Sequence, residues 1–160
     1  MTLAELNSLT TPRAEAELTR CCASTRWIRL MAAARPFLDR AAMDRTADRI
    51  WWSLSAADWL EAFAAHPPIG GRTDSAWSKE EQTHAARAAA EVADRLARGN
   101  RQYEERFGFT FLVCATGKSA DEIVAMLERR LPNAPEVEVG IAAEEQRKIT
   151  HLRLKKLVTS

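Results

Sequence analysis

The sequence is short of almost everything that advertises a reaction. No apolar run reaches the roughly 20 residues that a bilayer-spanning helix needs, so no membrane segment is expected. There is no Walker loop, no Gly-x-Gly-x-x-Gly and no Gly-x-Ser-x-Gly, which removes the common phosphate-cradling, dinucleotide and serine-hydrolase signatures. None of the three histidines and three cysteines forms His-x-x-x-His or Cys-x-x-Cys, and no loop is rich in Asp and Glu, so no metal site is expected. Cys21 and Cys22 are adjacent, an awkward geometry for a structural disulfide. With Cys114 they read as reduced thiols of a cytoplasmic protein. Residues 1–6 lack the basic and apolar regions of a signal peptide, and the sequence ends Leu157-Val158-Thr159-Ser160 rather than in a Ser-Lys-Leu peroxisomal tail. Lysine and arginine are scattered among acids and leave a net charge of only +1, so no nucleic-acid surface is expected.

What is there reads as helix. The 160 residues fit one domain of ordinary size, spanning 1–160, and 46% apolar with 28% charged residues fits a soluble globular chain. Alanine is abundant, and glycine and proline are few and localised. Pro12 suits a first helical turn. Trp27, Leu30, Met31 and Ala34 recur at helical spacing, and a further helix runs from 39 to about 52. Ser55 is a plausible N-cap for a helix presenting Trp59, Leu60 and Phe63. That helix must stop near His66, because Pro67-Pro68 cannot continue the hydrogen-bond ladder. Ser78-x-x-Glu81 fits a capping box that opens a long helix to about Arg98. Gly99-Asn100 is expected to break that helix, leaving a short one from 101 to 107 that Gly108 ends. Ser119 to Glu122 is a second capping box, for a helix to about 131, and a last helix runs from about 136 to 157. Residues 109–116 are strand-like by propensity, but nothing offers them a partner strand. An extended segment between helices is expected, whose backbone groups need other partners. The architecture is therefore an all-α fold of seven to nine helices with one extended segment near 109–116.

Acid–base equipment is concentrated between His66 and Gln82. A helix C-cap histidine is a sufficient account of His66, and the helix dipole would raise its pKa. Glu81 either bonds back to Ser78 as a capping-box acid or faces a cavity; the two uses compete for one carboxylate. Arg153 falls four residues from both Ile149 and Leu157 and so reads as a charge within an apolar stripe, either paired with a carboxylate or a ligand or snorkelling outward on its stem. His84 and His151 read as ordinary surface residues, and the tryptophans as core. Composition alone also fits a non-catalytic helical module.

Taken in order, the motifs resemble a known family. They are Cys21-Cys22-x-Ser24-Thr25-x-Trp27, Ala57-Asp58-Trp59-Leu60-Glu61-Ala62-Phe63, His66-Pro67-Pro68-Ile69-Gly70-Gly71 and Glu81-Gln82. Asn100-x-x-Tyr103-Glu104-x-x-Phe107-Gly108-Phe109-x-Phe111 follows, then Val113-Cys114-Ala115-Thr116-Gly117-Lys118-Ser119. Glu144-Glu145-Gln146-x-Lys148-Ile149-x-x-Leu152-Arg153-Leu154 closes the series. Together they resemble OHCU decarboxylase, the 2-oxo-4-hydroxy-4-carboxy-5-ureidoimidazoline decarboxylase of urate degradation. The resemblance implies an all-helical, cofactor-free enzyme that converts a small ureidoimidazoline to (S)-allantoin with loss of CO₂, often as a homodimer. It further implies that His66, Glu81 and Arg153 are catalytic. Pro67, Ser78, Gln82, Phe111, Leu112, Val113, Cys114 and Ala115 are implied to contact substrate, the last five largely through backbone groups.

Overall fold

Short polar side chains set where the helices begin. Thr2, Ser24, Asp39, Ser55 and Ser119 each stand before a helix in extended backbone and accept a hydrogen bond from the N–H three residues on, satisfying a donor that the helix itself cannot. In the computed structural model, which describes residues 1–69 and 79–159 and of 79–86 the backbone alone, the described residues form eight helices and no strand. They are α1 (Leu3–Ser8), α2 (Thr11–Thr19), α3 (Thr25–Ala33), α4 (Arg40–Ser53), α5 (Ala56–Ala64), α6 (Lys79–Phe107), α7 (Ala120–Arg130) and α8 (Pro135–Leu157). The all-α expectation holds. The chain divides into two compact units, one of residues Met1–His66 with Ile141–Ser160 and the other of Pro67–Gly140.

The first unit is built on aromatic and sulfur-containing residues. Trp27, Met31, Met43, Phe63 and Leu154 are wholly buried. Each indole of its interior finds an acceptor: Trp27 Nε1 donates to the Ala47 carbonyl at 3.3 Å and Trp51 Nε1 to that of Ala143 at 3.0 Å. This is how a large amphipathic ring is buried without orphaning its N–H. Trp52, by contrast, is exposed. Glu61 of α5 accepts from the Thr25 N–H and so caps α3 from outside.

In the second unit Leu96, Tyr103, Phe111, Val113, Ile123, Val124 and Leu127 form one buried cluster. Helix α6 runs unbroken through Gly99 and Asn100, against expectation. The glycine serves contact rather than a break: a Cβ there would lie 2.4 Å from Leu127 Cδ2, so its absence lets α7 lie close. Asn100 Nδ2 donates to the Ile69 carbonyl at 3.0 Å. Gly108 does end α6, at φ +79, a conformation that costs glycine nothing. Residues 110–115 belong to no helix, and among the described residues no strand pairs with them, as expected.

Candidate functional site

His66 is placed by the end of α5. The helix stops at Ala64, and the His66 N–H closes the last turn on the Phe63 carbonyl at 3.1 Å, just before the two prolines. The half-buried ring then meets α8: Nε2 lies 2.6 Å from Gln146 Oε1. Gln146 is fully buried, and its Nε2 donates to Thr150 Oγ1 at 3.0 Å. The Thr150 hydroxyl and the Ser24 N–H lie close enough to the Cys22 thiol to act on its pKa, each lowering it. A side-chain oxygen of Gln146 can only accept, so this contact is a hydrogen bond when His66 Nε2 carries the proton.

The electrostatics run opposite to the helix-dipole expectation. Burial pushes the His66 pKa below its ordinary value and the positive charge of Arg153 adds to that, outweighing the Gln146 hydrogen bond, which acts the other way. Desolvation of the charged ring therefore outweighs the helix C-terminus here. Burial likewise pushes Cys21 and Cys22 up to about 11, against a smaller lowering by Arg153, so both stay thiols.

Arg153 is exposed, which corrects the apolar-stripe reading. The buried line of α8 is Ala142, Ala143, Glu145, Gln146, Thr150, Leu154 and Leu157, whereas Ile149 and Leu152 are only partly covered. Polar residues occupy part of the buried face, so hydropathy misplaces that face and Arg153 with it. The arginine lines a cavity of about 360 Å³ with Glu17, Arg20, Cys21 and Lys156. Its charge reaches His66, Cys21 and Cys22.

The remaining expected residues are distributed as follows. Pro67 is exposed, Phe111, Leu112, Val113 and Cys114 are buried and Ala115 is exposed, all in the second unit. Ser78 lies outside the described residues, as do the side chains of Glu81, Gln82 and His84. His151 is no ordinary surface residue: its Nε2 lies 2.6 Å from Asp48 Oδ1.

Two sets of residues escaped the sequence reading. One is Gln146 and Thr150, whose signal was their i, i+4 spacing in line with Leu154. The other holds the extended segment. Arg130 Nη1 donates to the Leu112 carbonyl at 2.7 Å while its Nε donates to Glu138 Oε1 at 2.6 Å. Tyr103 donates its hydroxyl to the same Glu138 oxygen at 2.6 Å, and Asn133 Nδ2 donates to Oε2 at 3.0 Å. The Arg130 guanidinium also lies 4.7 Å from the Phe111 ring centroid. Arg130 thus supplies one of the backbone partners that a strand-like segment without a sheet needs, and nothing in the segment's spacing pointed to an arginine 18 residues beyond Leu112.

Known proteins resemble this chain along most of its length. The family model for OHCU decarboxylase matches residues 7–155. The uric acid degradation bifunctional protein TTL of Arabidopsis thaliana is 38% identical over 152 residues, covering 89% of this chain and 47% of that protein. The chain thus spans about half the length of that relative. The 2-oxo-4-hydroxy-4-carboxy-5-ureidoimidazoline decarboxylase of Amia calva is 35% identical over 133 residues, covering 79% of this chain and 76% of that one. A crystal structure of OHCU decarboxylase in the presence of (S)-allantoin matches with a TM-score of 0.76 at 39% identity, covering 90% of this chain and 98% of that one.

Proposed function

Because the chain belongs to the OHCU decarboxylase family, we propose that it is a carboxy-lyase of urate degradation that converts OHCU to (S)-allantoin and CO₂ without a cofactor. The substrate supplies its own electron sink. Its carboxylate and hydroxyl share one carbon, next to a ring C=N carbon. When the bond to the carboxylate breaks, CO₂ leaves and the electron pair moves onto that C=N, whose nitrogen takes a proton from solvent. The hydroxyl then loses its proton as the ring carbonyl forms, and a proton is added to the neighbouring carbon. The protein has to orient the groups, offset charge and deliver that last proton to one face.

In this reading His66 Nδ1 takes the hydroxyl proton and returns it to carbon. Arg153 offsets the negative charge on the reacting oxygens. Glu81 orients ring or ureido N–H groups, Gln82 and Ser78 hold carbonyl oxygens, and Pro67 with the backbone of Phe111, Leu112, Val113, Cys114 and Ala115 reads the ureide. The observation that carries it is the His66 imidazole with Nε2 2.6 Å from Gln146 Oε1 and its pKa lowered by burial and by the charge of Arg153. A cytoplasmic homodimer acting on a free small molecule, with residues 1–160 working as one domain, completes the proposal. The family's helical fold supports it.

The test is freshly generated OHCU, with allantoin formation followed by circular dichroism. His66→Ala should slow decay by about 10²–10⁴-fold, the worth of a placed acid–base group, and should leave racemic allantoin from the unassisted reaction. An unchanged rate and unchanged chirality would sink the assignment.

A further inference from the structure

Gln146 is buried behind the reacting groups, yet it decides which nitrogen of His66 is available. Resting on the reading of His66 as the group that moves the hydroxyl proton, we propose that Gln146 is a positioning residue: its amide, clamped by Thr150, fixes His66 as the Nε2–H tautomer and leaves Nδ1 to carry the proton.

An amide can face an imidazole in two ways. With its oxygen forward it demands a protonated Nε2, and with its nitrogen forward it demands a bare one. The choice is made behind the glutamine. Gln146 Nε2 donates to Thr150 Oγ1 at 3.0 Å, and the Thr150 hydroxyl lies close enough to the Cys22 thiol to act on its pKa. Turning the amide over would set its nitrogen against a ring N–H and withdraw the N–H that Thr150 Oγ1 receives. Gln146, Thr150, Cys22 and Ser24 are all buried, so no water repairs the mismatch. Cys22 stays a thiol, so the far end of the chain does not inject a charge.

The residue type fits the task as well. A carboxylate in this position would make the same contact but would hold the imidazolium tightly. The neutral amide orients the ring and still lets the proton leave. When Nδ1 accepts the hydroxyl proton the ring becomes imidazolium, with its Nε2–H still donated to Gln146 Oε1. When Nδ1 returns that proton to carbon, the starting tautomer is restored and the buried chain has not moved. Among the described residues the one other charge felt by the ring is that of Arg153, a donor that cannot accept a hydrogen bond from the ring.

The test uses the full chain and its OHCU reaction. In ¹⁵N-histidine spectra at neutral pH, wild-type His66 should show a protonated Nε2 and a bare Nδ1; the opposite pattern overturns the proposal whatever any variant does. Gln146→Leu should lower kcat by between about 10- and 10²-fold, part of what a placed acid–base group supplies, with KM little changed and the tautomer signal mixed. Gln146→Glu should move the acid limb of the kcat/KM profile to higher pH by about one to three units. Thr150→Val, which frees the amide to turn, should shift the tautomer the same way as Gln146→Leu. If Gln146→Leu does not fold, the Gln146→Glu profile and the wild-type spectrum decide the matter. Failure of the underlying reading is separable: it shows as full activity in His66→Ala. Inactive His66→Ala beside wild-type kcat, pH profile and spectrum in the Gln146 variants refutes the positioning role alone.

Discussion

Each of the two units buries a polar network, and the networks are made of opposite materials. In the first unit the members His66, Gln146, Thr150 and Cys22 are neutral, and burial acts to keep them so. In the second unit Arg130 and Glu138 form a buried ion pair at 2.6 Å, 8% and 0% exposed, with Tyr103 donating into it. Burial and Glu138 push the Tyr103 hydroxyl pKa far up, so it remains a donor. A charged pair in a low-dielectric interior has one favourable geometry and resists leaving it. It is suited to fixing a carbonyl, here that of Leu112. A neutral chain ending in an imidazole holds its shape while a proton comes and goes. The difference teaches that burial can serve either rigidity or proton traffic, depending on whether charge is paired or kept out.

The comparison predicts its own tests. Arg130→Met leaves Glu138 buried without its cation and should destabilise the fold by about 3–5 kcal/mol, read by urea unfolding. The double variant Arg130→Met/Glu138→Leu should recover much of that loss. A single-variant loss below about 1 kcal/mol, the level of an exposed pair, would erase the contrast between the units. Next in size, Gly99→Ala sets a methyl into Leu127. It should cost about 1–3 kcal/mol by overpacking, offset by up to about 1 kcal/mol of helix propensity. Net stabilisation would show that the α6–α7 contact yields. The smallest effect is pH-dependent. Because the folded pKa of His66 lies below its ordinary 6.5, the unfolded chain binds more protons as pH falls through that value. The stabilising contribution is present above about 6.5 and is lost downward through the folded pKa. Measured against His66→Gln, the wild type should lose stability more steeply on acidification. Parallel curves would mean that burial does not set the state of this ring.

The elements were legible where local chemistry decides them. Pro67-Pro68 stops α5, Ser119 caps α7, Gly108 ends α6, and residues 110–115 stay out of a helix because β-branched and aromatic residues crowd one. Ser119 supplies half of the expected capping box: it accepts from the Glu122 N–H at 3.2 Å, and the Glu122 carboxylate takes the Ser119 hydroxyl at 3.1 Å. Where tertiary partners decide, the sequence misleads. Gly99 looks like a break until Leu127 stands beside it. Arg153 looks buried because the buried face of α8 carries the polar Gln146 and Thr150, which hydropathy does not mark. The pKa of His66 was read from its helix end, whereas burial and a cation 87 residues further along the chain set its direction. The family resemblance pointed to His66 and Arg153, but not to Gln146, which lies against the His66 ring.

Helix α8 carries a consequence for assembly. A helix that sets Glu145, Gln146 and Thr150 among Ala142, Ala143, Leu154 and Leu157 on its buried face collapses less freely onto an apolar surface than one that is apolar throughout. It docks when specific partners are ready to receive its polar groups, and His66 is 80 residues upstream of Gln146. Contacts of that span carry a loop-closure cost that local helices do not. The His66–Gln146 contact therefore reports that the end of α5 and helix α8 have come together.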